Sequence, residues 1–450
     1  MSLDVTHESR PIADPSELTD VFRSACKPPD QWRAGTESEA LGVYATGPAV
    51  GAAPPYEGPR GIGALLARLA TSGWGPIREG EHIIALARDG AHISLEPGGQ
   101  IELAARPVSS VAVHAEDVRD YEQALAAASR ELDIAWLGMG FRPFGTLDDV
   151  PWMPKGRYAI MRDYLPTRGR LAHEMMKRTA TVQVSLDFSD VDDARAKLRC
   201  AFGITPLLTA MYASSPIVDG QVTDYQSYRA RVWLETDPDR CGLLPFVFDD
   251  VDVFEAYTQW ALDVPMFFVL RDRYLPARGM TFRRFLRDGF EGERATIGDW
   301  ELHLSTLFPD VRIKRFIEVR GCDAGPRDMI LALAPLLCGV LYDADARSEA
   351  TALTASLTID ERLALAAAVP RAGFSAPVGR TGRKVLDLAR ELVAIADAGL
   401  ARIEPGDRGY LEPLREIVAT GRTRADAIVD VWRRAGGEPT AVIRSCRRFA

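Results

Sequence analysis

The sequence predicts an α+β fold on three observations. Strands with strict two-residue alternation are scattered through the first 345 residues, the helical stretches between them do not repeat as βαβ units, and the tail beyond is helical in pattern. A polar, Pro-rich opening over 1–29 gives way to an alternating segment, Trp32 to Glu39, whose strand face carries Arg33, Gly35, Glu37 and Glu39. Two acids therefore point the same way. The Pro/Gly-rich connection from Gly47 to Pro59 leads to a helix over 60–72, and His82–Ala87 with His92–Leu95 reads as a hairpin across Arg88, Asp89 and Gly90. A helix over 115–132 and a strand over 134–141 follow, and the segment Met153–Tyr158 opens another helix. Further strands are expected at 179–188, 265–271 and 311–321. The apolar run Met329–Tyr342 reads as a buried helix, and Gly373–Gly382 joins two pieces of the Ala-, Leu- and Arg-rich region over 346–450.

Composition narrows the partners. A hydrophobic content of 47% and a charged content of 26% are those of an ordinary globular chain with a sizeable core. The net charge of -9 argues against nucleic acid, whose binding draws on Lys and Arg, and so favours small molecules. No uncharged apolar run reaches the roughly 18 residues a membrane span requires, so no membrane partner is expected. The start Met1-Ser2-Leu3-Asp4 has neither a basic nor an apolar stretch, and a cytoplasmic protein without a secretory signal is expected. Cysteines at 26, 200, 241, 322, 338 and 446 are widely separated, with no Cys-x-x-Cys pair, which argues against zinc and for reduced, buried thiols.

The segment Ser94–Leu103 carries the most chemistry. On one straight strand Glu96 and Glu102 would sit about 20 Å apart. The intervening Pro97-Gly98-Gly99 turn, with backbone angles closed to other residues, folds the chain back and brings both carboxylates towards a common point beside Gln100. Magnesium takes such oxygens. A hairpin with solvated acids at its ends has the same spacing. Over 179–188, Thr179, Thr181, Gln183, Ser185 and Asp187 share one strand face; five hydrogen-bonding side chains without Lys, Arg or Glu suit a polar pocket better than open water. Over 311–321, Arg312, Lys314, Phe316, Glu318 and Arg320 share a face opposite Val311, Ile313, Arg315, Ile317 and Val319. Arg forks and a Lys ammonium suit triphosphate oxygens, and the single acid could hold a bridging metal, although an edge strand guarded by charge reads the same way. Arg157, and Arg229 near Trp233, are of the type that recognises carboxylates or simply faces water. Gly379–Lys384 lacks P-loop spacing, and neither His-Glu-x-x-His nor Gly-x-Ser-x-Gly occurs, so phosphate handling falls to metal and basic side chains.

Taken together, Gly35-Thr36-Glu37-Ser38-Glu39, Ser94-Leu95-Glu96-Pro97-Gly98-Gly99-Gln100, Leu137-Gly138-Met139-Gly140-Phe141, Met153-Pro154-Lys155-Gly156-Arg157-Tyr158, Met175–Gln183, Leu244-Pro245-Phe246-Val247-Phe248 and Ile317-Glu318-Val319-Arg320-Gly321 resemble the glutamate-cysteine ligases shared by plants and many bacteria, in order and over roughly residues 30–345. The resemblance implies a glutamine-synthetase-like antiparallel β-sheet funnel flanked by helices, with a catalytic region over 30–345 and a helical C-terminal region over 346–450. It implies ATP as co-substrate, Mg2+, and ligation of the glutamate side-chain carboxylate to the cysteine amine, towards glutathione or another thiol such as ergothioneine. On it, Glu37, Glu39, Glu96, Glu102, Glu318 and Gln183 are expected as metal ligands, with Lys314, Arg320 and Glu318 at the transferred phosphate. Arg157, Arg229 and Thr181 are expected at glutamate, with Trp233 and Phe267 walling the amino-acid pocket. The regulatory cysteine pair of plant members is missing from Tyr274–Met280 and the loop after it. A ligase of the same architecture using another amine, or a non-catalytic protein sensing glutamate or nucleotide, are the alternatives.

Overall fold

Alternating apolar and polar side chains commit nine segments to one antiparallel sheet in the computed structural model, which describes residues 10–449. They are β1 Ala34–Tyr44, β2 Gly75–Glu79, β3 His82–Arg88, β4 Ala91–Leu95, β5 Ile101–Ala104, β6 Ile134–Leu137, β7 Thr181–Leu186, β8 Val311–Ile313 and β9 Ile317–Asp323. Their spatial order is β8-β9-β7-β1-β5-β4-β3-β2, with β6 paired to the second half of β1. The α+β expectation holds.

Three strand expectations are corrected. Residues 311–321 are not one strand but the β8–β9 hairpin, closed where the Lys314 amide donates to the Phe316 carbonyl at 2.9 Å. Both arms keep the same alternation, and no Gly, Pro or Asn marks the turn, so the pattern alone could not betray it. The segment expected as a strand at 265–271 is reduced to Phe268–Leu270, which pairs with Tyr274–Pro276 outside the main sheet. The strand read over 134–141 ends at Leu137, and the helix read from 115 starts at Val111, where the Ser110 hydroxyl accepts the Ala112 amide.

The helices that matter to the site and its support are α1 Ser16–Arg23, α2 Ile62–Ala70, α3 Val111–Arg130, α4 Gly156–Tyr164, α5 Ala172–Arg178, α6 Val191–Met211, α7 Tyr228–Trp233, α8 Val253–Asp263, α9 Arg327–Leu341, α10 Ile359–Ala372 and α11 Val385–Ile403. Helix α1, within the opening read as polar, buries Leu18, Val21 and Phe22, and the Phe22 ring meets Phe254 and Tyr257 of α8. The apolar faces of β1, β7 and β9 are covered by α6 and α9. Helix α9 is buried within the protein and packs on α11 where Gly339 meets Gly399; a Cβ at Gly339 would strike the Ala396 carbonyl. Among the described residues no single helix is long and apolar enough to cross a membrane.

The chain then returns to the sheet. The Cys446 carbonyl accepts the Gly138 amide at 2.9 Å, and the Arg448 amide donates to the Trp136 carbonyl at 2.8 Å. Arg448 pairs with Glu122 at 2.9 Å, both side chains fully buried, and donates to the Ser38 hydroxyl at 2.9 Å on the back of β1.

Candidate active site

Strand β1 is the axis of the site because it lies between two strands that bear matching polar residues. Across one side Glu37 stands opposite Gln183 of β7, and across the other Glu39 stands opposite Glu102 of β5. Like charges directly opposed on neighbouring strands repel, so this register is unfavourable without a cation. Burial, then Glu102 and Glu318, push Glu37 up to about 7. Burial, then Glu102 and Glu96, push Glu39 well above the ordinary carboxylate range. The Glu39 carboxylate accepts the Thr181 amide at 3.1 Å, and Glu102 accepts the Ser94 hydroxyl at 2.8 Å.

The turn carrying Glu96 has the geometry expected from Pro97-Gly98-Gly99, but its two glycines act differently. Gly99 takes a φ of 81°, the left-handed region that favours glycine. Gly98 instead lets the turn lie directly on α5: a Cβ there would collide with the Lys177 carbonyl. Gln100 locks the arrangement, accepting the Gly98 amide at 2.9 Å and donating to the Thr179 carbonyl at 2.8 Å. Gln100 is thus a structural clasp between the turn and the segment that leads into β7.

The hairpin places Arg312 directly opposite Glu318. Arg312 approaches the Glu318 carboxylate at 2.8 Å, Lys314 lies 3.5 Å from it, and Arg320 makes a closer contact still. Burial alone would raise the Glu318 carboxyl, but Arg312, Lys314 and Arg320 hold it well below the usual range. At 3.5 Å the Lys314 contact is an ion pair without a hydrogen bond, and the ammonium is pushed down by burial and by Arg312. Arg320 also donates to the Gln183 side-chain oxygen at 2.7 Å. The sequence placed Arg312 on the cationic face but gave it no assigned site role, because a single strand would have set it six residues from Glu318 along that face.

One cavity is lined by Glu39, Glu96, Gln183, Trp233, Arg312 and Arg320, so β1, the turn, β7, α7 and the hairpin converge on it. A second cavity shares Trp233 and Arg320 as its wall and adds Arg229 and Asp310. Arg229 is fixed by its amide donating to the Ser215 hydroxyl at 3.2 Å and a guanidinium nitrogen donating to the Arg320 carbonyl at 3.0 Å. Ser215 in turn donates to Asp323 at 2.6 Å, a buried carboxylate that also accepts from Ser214 and Ser227.

Arg157 lines neither cavity. It lies on α4 with its guanidinium 5.7 Å from the Phe268 ring, two of its nitrogens buried without a hydrogen bond. Neighbouring Lys155, passed over in the sequence, is buried with its ammonium lacking a hydrogen bond, and burial pushes it down to about 8. The Thr181 hydroxyl donates to the Cys322 carbonyl at 2.7 Å. Phe267 stands back from both cavities, its ring under the Arg240 guanidinium at 3.8 Å. Asp187, at the far end of the polar face of β7, pairs with Lys27 at 2.7 Å.

Among the described residues no three His, Cys, Asp or Glu side chains converge into a ready-made metal cage. Mg2+ commonly takes one or two carboxylates and completes its shell with phosphate and water. The directly opposed carboxylates of Glu39 and Glu102 fit that mode.

A family model described as glutamate-cysteine ligase family 2 matches residues 33–445, which takes in the helical region beyond 345. Chloroplastic glutamate-cysteine ligases are similar: that of Medicago truncatula is 40% identical over 92% of this chain and 81% of its own length, and that of Brassica juncea 40% identical over 94% and 82%. These chloroplastic relatives overturn the expected cytoplasmic location; the four N-terminal residues on which it rested lie outside the described part. Among solved structures, a glutamate-cysteine ligase from Francisella tularensis in complex with AMP superposes with a TM-score of 0.56 at 14% identity, covering 93% of this chain and 88% of that one. A bifunctional glutathione synthetase from Pasteurella multocida gives 0.52 at 12% identity, covering 96% and 53%. At such identities the likeness concerns the fold, and the glutamine-synthetase-like sheet expected from the sequence is the one found.

Proposed function

The chain belongs to glutamate-cysteine ligase family 2, and from that membership we propose that its central sheet performs the ATP-dependent joining of the glutamate side-chain carboxylate to the amine of cysteine. A carboxylate is a poor electrophile, so the γ-phosphoryl group of ATP first converts it to an acyl phosphate, which the amine then attacks with loss of phosphate. The single observation that carries this reading is the meeting, across β1, of the opposed acids Glu39 and Glu102 with the cationic hairpin of Arg312, Lys314 and Arg320.

Glu37, Glu39, Glu96, Glu102, Glu318 and Gln183 are the residues that would hold Mg2+, which when bound supplies charge neutralisation to the phosphate oxygens. Lys314 and Arg320 neutralise the phosphoryl group in transit, and their fixed positions avoid reorganisation at that moment. Glu318 holds both cations in place. Arg229 receives the glutamate carboxylate beside Thr181, and Trp233 with Phe267 behind it makes the apolar side of the amino-acid pocket. Arg157, with Lys155, is a second buried anion-binding pair on the α4 side.

The test is product identity. Glutamate, cysteine and MgATP are expected to yield ADP, phosphate and γ-glutamylcysteine by mass, with cysteine preferred over alanine or serine. Apolar packing alone discriminates by only about 1–3 kcal/mol, so the preference is clear but incomplete. Efficient ligation of another amine without γ-glutamylcysteine would replace cysteine as substrate, and no ADP release with any amine would point to a sensing protein.

A further inference from the structure

The second cavity contains one carboxylate for which the reaction above has no use. Asp310 precedes β8, held by its own amide donating to the Gly242 carbonyl at 3.0 Å and by its carbonyl accepting the Arg320 amide at 3.2 Å. Its side chain is half-buried in the cavity wall. Among the described residues no side chain hydrogen-bonds or pairs with it, whereas the other acids nearby are committed: Asp237 to Arg240 at 2.7 Å, and Asp323 to three serines. The cavity opens between α7 and α10, with exposed Leu234 and Leu363 at its mouth. Trp233, Phe308 and Arg320 line both this cavity and the one lined by Glu39 of β1.

We infer that this second cavity delivers the amine substrate and that Asp310 receives it, taking a proton from its ammonium. The inference rests on the ligase reading above. An amino-acid amine is an ammonium at neutral pH and has no lone pair to attack with. One N–H proton passes to the Asp310 carboxylate, and the freed pair forms the C–N bond at the acyl-phosphate carbon. The C–O bond to phosphate then breaks. The second proton lost from nitrogen leaves with the phosphate as hydrogenphosphate, and Asp310 returns its proton to water. Burial pushes the Asp310 carboxyl up to about 6, against the lowering influence of Arg229 and Arg320, which brings it near the working range of a base; Asp237, Cys241 and Arg362 are the other ionisable groups of this wall.

Hydroxylamine separates the step, because it is largely uncharged at neutral pH and needs no base before attack. In Asp310→Asn, cysteine-dependent ligation is expected to fall about 10²–10⁴-fold, while MgATP-dependent γ-glutamyl hydroxamate formation stays within about threefold of wild type. Asp310→Glu, which keeps the carboxylate, is expected to recover at least tenfold over Asn, with both variants melting like wild type. Unchanged cysteine ligation in Asp310→Asn overturns the inference. So does equal loss with both amines alongside a raised glutamate KM, which would make Asp310 a holder of the glutamate ammonium, and so does an Asp310→Glu no better than Asn. A wild-type protein that forms neither hydroxamate nor ADP would instead defeat the ligase reading on which the inference stands.

Discussion

Glu318 is the residue where structure most changes the expectation drawn from sequence. Three buried cations share it, so Glu318→Gln removes more than a ligand: Arg312 and Lys314 lose the carboxylate with which, among the described residues, they form an ion pair. Breaking a buried ion pair typically costs about 3–5 kcal/mol, and loss of one stabilising group in a phosphoryl-transfer site about 10²–10³ in rate. Glu318→Gln is therefore expected to lower both turnover and the urea midpoint, read by ADP release and by equilibrium unfolding. An unchanged midpoint would mean the cations do not depend on it. The acids on β1 were legible because two-residue alternation assigns faces reliably. Lys155 and Asp310 were not, since only burial and cavity placement set them apart, and Arg312 was legible on its face but not as the partner of Glu318 across an unmarked turn.

At the level of the element, the turn between β4 and β5 shows how close approach, as much as backbone freedom, can require glycine. Gly98→Ala would drive a methyl group into the Lys177 carbonyl, so either the turn lifts or α5 shifts. Overpacking of this kind costs about 1–3 kcal/mol, and the movement carries Glu96 away from Glu39. The expected result is a lowered melting temperature together with a raised Mg2+ requirement; a lowered melting temperature with an unaltered Mg2+ requirement would detach the turn from the metal. Strand β7 was readable from five polar residues in strict alternation, and helix α9 from its apolar run. The 311–323 hairpin was not, because a hairpin whose arms continue the same alternation is indistinguishable from a longer strand unless its turn carries Gly, Pro or Asn.

For the whole molecule, pH acts through groups of opposite sign. His303 is buried beside the Phe282 ring, and burial pushes it down to about 3 from an ordinary 6.5. Below pH 6.5 the unfolded chain gains a proton there that the folded chain refuses, so stability falls with pH by about 1.4 kcal/mol per unit. Glu37, raised to about 7, works the other way: between that value and the ordinary carboxylate range the folded form binds the extra proton, and stability rises as pH falls. A comparison cancels the shared groups. The stability deficit of His303→Gln against wild type is expected to shrink by roughly 1 kcal/mol per pH unit between pH 6 and 4, measured by urea unfolding. A constant deficit would mean His303 takes up its proton in the folded state.

The contact between Arg448 and Ser38 also sets a clock. Their side chains meet across 410 positions of sequence, and ribosomes add about 5–20 residues per second, so the strand bearing Glu37 and Glu39 waits roughly 20–80 s after its own synthesis for the guanidinium that seats behind it. During that interval the nascent chain carries two neighbouring glutamates whose support has not yet been made. Assembly of this centre is therefore completed only after Arg448 has been made, and a ribosome stalled short of Arg448 would hold a chain that has the catalytic side chains named above but lacks the brace behind them.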